Sequence, residues 1–71
     1  MAENLKQWRV VGESYREMFD NEPEARRAYG KQRNLIKEQE EGRCELYGRT
    51  SITSDWILLQ EFELGEEEEG D

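Results

Sequence analysis

Carboxylates are the only plentiful reactive groups in this chain: 18 Asp and Glu stand against 10 Lys and Arg, with no histidine and one cysteine, Cys44. The absence of histidine removes the commonest general base, nucleophile activator and metal ligand together. Ser14, Ser51 and Ser54 therefore have no imidazole partner, and one thiol gives neither an intramolecular disulfide nor a zinc site. Cys44 alternates with Leu46 in an apolar pattern, which predicts a buried structural thiol rather than a nucleophile. Glu61 and Glu63 share a strand face, with Glu45 and Glu17 on possible neighbours. Paired acids raise one another's pKa only in a cleft, and a unit this small has little room for one, so a solvated charged face is expected. The six glycines are scattered and form no phosphate-binding loop. Glu66–Glu69 lacks the alternating ligands and the glycine of a calcium loop. The expectation is a protein that is not an enzyme and carries no metal or cofactor.

The basic residues offer a different chemistry. Arg26, Arg27, Lys31 and Arg33 cluster on one predicted helix, mostly off its apolar stripe, where they would form a phosphate-binding face for nucleic acid. The net charge of −8 and the lack of interleaved aromatics argue against nucleic acid as a partner. An ordinary solvated helix surface, balanced by pairs such as Glu22–Arg26, is the expected state.

The elements that position these groups follow from periodicity. Residues 5–11 alternate with Trp8 and Val10 on one face and end at Gly12, which predicts a strand. Gly12-Glu13 suits a two-residue hairpin loop with glycine first, returning through residues 15–19 as a short strand; a plain loop fits the same residues. Asn21 followed by Glu24 forms a capping box, and Pro23 fits the first turn of a helix. That helix is expected over residues 22–41, with Ala25, Ala28, Tyr29, Gln32, Leu35, Ile36 and Gln39 as its inner stripe and Gly42 after its end. Residues 43–50 and 56–64 read as two further strands. In the last one, Trp56, Leu58, Phe62 and Leu64 alternate with Ile57 and Leu59, so both faces look apolar. A strand buried on both sides belongs inside a sheet, which predicts a place between the first strand and residues 43–50.

These elements predict a single α+β domain over residues 1–64: a small, mainly antiparallel sheet of three to four strands with one helix packed on one face. Residues 65–71 are expected to be a disordered acidic tail carrying five of the net negative charges. One helix covers one sheet face only. Trp8, Val11, Tyr47, Ile57 and Leu59 are the residues expected on the uncovered face, where a second copy or another protein would dock. No run is long and apolar enough for a membrane span and no signal-peptide profile opens the chain, so a cytoplasmic protein is expected.

The pattern Trp8-Arg9-Val10-Val11-Gly12, then Phe19-Asp20-Asn21-Glu22-Pro23-Glu24-Ala25-Arg26, then a strand leading to Ser54-Asp55-Trp56, resembles small accessory proteins of actinobacterial phages. The resemblance implies a strand–helix–strand–strand plan and action inside a bacterial host. It also implies binding to host proteins, as small acidic phage products often show. It implies no assigned chemistry and no site residue.

Overall fold

A computed structural model describes residues 5–65. The order is β1 (Gln7–Val11), β2 (Arg16–Phe19), α1 (Glu22–Gln39), β3 (Gly42–Arg49) and β4 (Ile57–Leu64). The four strands form one sheet in the order β2-β1-β3-β4, with every neighbouring pair antiparallel. Strand β2 is therefore parallel to β3, and the helix is the crossover between them, passing over β1. The α+β architecture with one helix on one sheet face is as the sequence predicts. No helix among the described residues is long and apolar enough to cross a membrane. Residues 66–71, which carry the expected acidic tail, lie outside the described residues.

The helix starts where the capping chemistry requires. Asn21 is extended, its side chain accepts a 2.9 Å bond from the Glu24 N–H, and Pro23 sits in the first turn. Ala25, Tyr29 and Ile36 turn inward and meet Trp8, Val10, Cys44 and Leu46 from the two central strands. Val10 and Leu46 are directly paired and fully buried. Leu35 does not join this stripe: it is 47% exposed, about 100° round the helix from Ile36. The helix also ends earlier than expected, at Gln39. Its left-handed residue is Glu40, at φ 64°, whose N–H donates to the Ile36 carbonyl at 2.7 Å. Gly42 instead opens β3.

The first hairpin exists, with a longer loop than two residues. Val11 pairs with Arg16, and the Gly12 N–H donates to the Tyr15 carbonyl at 2.7 Å. Glu13 and Ser14 are thus the central turn residues. Tyr15, Arg16 and their successors return as β2 from there.

The largest correction concerns β4. It is an edge strand, and β1 and β3 occupy the middle. The two-faced apolar pattern that suggested burial arises from a bulge: Tyr47 pairs with Leu58 and Leu46 with Gln60, leaving Leu59 as an extra residue. Alternation slips by one there, so Leu59 and Phe62 both reach the helix side and pack on the core, while Leu58 goes to the other face with Tyr47. Across β3, Gly48 leaves room for this: a Cβ on it would lie 2.8 Å from Leu5 Cδ1 and 3.1 Å from Leu59 Cδ1.

Candidate interaction face

Strand alternation sorts the polar side chains onto the sheet face that the helix does not cover. Buried Cys44, Leu46 and Gly48 point toward the helix, so Arg43, Glu45, Tyr47 and Arg49 point away from it. Through the register, Gln7, Arg9 and Val11 on β1 join them, with Arg16 and Met18 on β2 and Leu58, Glu61 and Glu63 on β4.

This open face has two unlike halves. Toward the β3 C-terminus, the Arg9 guanidinium carbon lies 5.1 Å from the Tyr47 ring centre and 4.7 Å from that of Trp56. The Arg49 guanidinium carbon lies 4.2 Å from the Trp56 ring, and its Nε donates to Gln7 Oε1 at 2.8 Å. Partly desolvated cation–π contacts of this type contribute about 0.5–2 kcal/mol each. No carboxylate among the described residues lies within ion-pair distance of Arg9 or Arg49, and Arg9 Nε is buried without an acceptor. Half-exposed Met18 and Leu58 flank this half.

Toward the β3 N-terminus, Arg43 gathers three acids. Its nitrogens lie 2.9 Å from Glu45, 3.2 Å from Glu61 and 3.8 Å from Glu63. Glu45 also accepts from the Tyr47 hydroxyl at 2.9 Å, and this hydrogen bond, with burial second, raises the Tyr47 pKa above its ordinary value. Arg43 itself is half exposed, so solvent and salt screen each pair and little stability comes from it. Glu61 and Glu63 are more than half exposed, Glu45 is largely shielded, and all three are held by the one cation.

Of the five residues expected on this face, Val11 and Tyr47 are there. Trp8 is not: it pairs with Gly48, faces the helix and is 7% exposed. Leu59 is turned to the helix side by the bulge. Ile57, at the register position opposite Gly48, belongs to that side too and is 43% exposed. The residues that make the face distinctive are Arg9, Arg49 and Leu58. The period-two spacing of residues 7, 9 and 11 and of residues 43, 45, 47 and 49 carries that information. The bulge that sends Leu58 there has no such signal in the sequence.

The basic helix residues do not form one surface. Arg26 turns toward β4, bonded to Glu22 at 2.6 Å and to Gln60 at 3.1 Å. Arg33 lies over the Tyr29 ring at 5.9 Å. Arg27 and Lys31 line a groove on the β2 side with Tyr15, Glu17, Phe19 and Glu24. Cys44 is buried beneath Tyr29; burial pushes its thiol pKa up, against smaller opposing effects of the Tyr29 hydrogen bond and Arg33. The thiol is thus held protonated and away from solvent. No group of three Cys, Asp or Glu positioned to hold a metal ion occurs among the described residues.

No family model matches the chain, and the comparisons with curated proteins and with solved structures likewise returned no match.

Proposed function

We propose that this chain is a small, non-catalytic interaction protein that binds through its open sheet face. The observation that carries the reading is the Arg9–Tyr47–Trp56–Arg49 layer. It presents two guanidinium groups, neither within ion-pair distance of a carboxylate among the described residues, and two rings, beside half-exposed Met18 and Leu58 on a four-stranded platform. Aromatic and arginine side chains are the usual anchors of protein interfaces. The buried thiol and the cation-held acids fit this non-catalytic reading. The partner is a host protein, as the phage resemblance implies, or a second copy.

The test uses Met18→Glu with Leu58→Glu on the open face and Arg27→Glu with Lys31→Glu on the helix side as a control. Partner retention from bacterial lysate at moderate salt and self-association by sedimentation are expected to be lost in the first pair and kept in the second. The reverse pattern sinks the proposal.

A second reading has its own observation. Glu13, Glu41 and Glu63 line one groove at the end of the sheet, and Glu38 and Glu40 lie in the adjoining helix end. This acidic end would suit mimicry of nucleic acid toward a basic host protein. Binding of that kind falls steeply with salt. Retention unchanged between low and high salt excludes it.

A further inference from the structure

The open face is complementary to itself, and we propose that its occupant is a second copy of this chain, stacked face to face with its strands running antiparallel to the first. This rests on the open-face reading above and names the partner. One half of the face holds Arg9 and Arg49 with no carboxylate among the described residues in ion-pair distance; the other holds Glu45, Glu61 and Glu63 around Arg43, with Arg16 at the β2 edge. A two-fold axis lying between the sheets and perpendicular to the strands brings the arginine half of each copy over the carboxylate half of its partner, twice per dimer. A two-fold axis parallel to the strands would instead put arginine over arginine. The self-complementary pattern that an isologous interface requires is therefore present in one orientation and absent in the other.

Apolar groups and dimensions agree with that orientation. Val11, Met18, Tyr47, Trp56 and Leu58 lie between or beside the charged groups, where two sheets about 10 Å apart would enclose them. Strands β3 and β4 are eight residues long, whereas β1 and β2 have five and four, so the face covers on the order of 400 Å² per copy. An interface of about 800 Å² in total lies at the small end of the range, which describes a weak, transient dimer. Pairing through the β4 edge is the competing route to a dimer, and charge opposes it. Several of the registers that keep the helices on one side bring Glu61 against itself or against Glu63 of the second copy.

The test is charge reversal and its rescue in the full chain. Sedimentation equilibrium is measured on the wild type, on Arg9→Glu with Arg49→Glu, on Glu61→Arg with Glu63→Arg, and on an equimolar mixture of the two variants. The wild type is expected to dimerise, less tightly as NaCl rises from about 50 mM to about 500 mM. Each variant alone is expected to dissociate at least tenfold more readily. The mixture is expected to form a heterodimer, because the net acidic face of one meets the net basic face of the other. Circular dichroism melting accompanies each sample, and Arg49→Glu with Glu63→Arg as single changes carry the same test if a double variant unfolds. A wild type that stays monomeric throughout, or a mixture that fails to associate, overturns the dimer. In those cases the open-face reading still rests on the Met18 and Leu58 variants. A dimer indifferent to both reversals overturns the two together.

Discussion

Tyr15 shows how a single side chain can make this fold sensitive to pH. Its hydroxyl donates to Glu17 Oε1 at 2.7 Å. Burial, and then the hydrogen bond and charge of that carboxylate, push its pKa up from 10.0 to about 12. The protonated phenol is the form that the folded state favours, so its contribution to stability is complete below pH 10 and is lost as pH rises through about 12. The melting temperature of the wild type is expected to fall more steeply over that interval than that of Tyr15→Phe. Parallel curves would mean that the Glu17 contact does not persist in solution. Tyr29 and Tyr47 are shifted in the same direction, Tyr29 mainly by burial and Tyr47 mainly by the Glu45 hydrogen bond. The steepness that remains in Tyr15→Phe would be theirs.

Among the elements, the helix is the one whose end conflicts with its own chemistry. Glu40 occupies a left-handed position at φ 64°, where a side chain costs about 1–2 kcal/mol. It also places a negative charge at the negative end of the helix dipole, next to Glu38 and Glu41. Glu40→Gly is expected to raise stability by about 1 kcal/mol, read as a higher urea midpoint with an unchanged slope. A lower midpoint would show that the Glu40 side chain makes a compensating contact. The start of this helix was legible in the sequence because Asn21, Pro23 and Glu24 act within one turn. Its end was not, because Gly42 is the residue a cap would choose and yet serves as the first residue of β3. The strands divide in the same way. Alternation gave the faces of β1 and β3 correctly, since both are central and regular. It failed on β4, where one inserted residue, Leu59, reverses the alternation partway along. A bulge is fixed by pairing with β3 and by the space over Gly48, and neither is written in the local pattern. The candidate face was therefore legible in part: Val11 and Tyr47 lie on it, whereas Trp8, Ile57 and Leu59 lie on the helix side.

At the scale of the whole molecule, two local units meet along one line. The pair β1–β2 closes within a few residues of the Glu13–Ser14 turn, and β3–β4 closes across the turn in which the Ser54 N–H donates to the Ser51 carbonyl. Between the central strands the pairing is distant, with Gln7 opposite Arg49. Each hairpin can therefore form early and alone, whereas joining them requires closing a loop that contains the whole helix. Folding speed should then be set by that junction, in keeping with the slowing effect of non-local contacts. Val10 and Leu46 lie at its centre, and Val10→Ala is expected to slow refolding in stopped-flow measurements while leaving the unfolding rate nearly unchanged. An effect confined to unfolding would place the junction after the rate-limiting barrier. The crossover that carries the helix over β1 thus has a temporal meaning as well as a spatial one: it makes the central pairing the last commitment the chain makes.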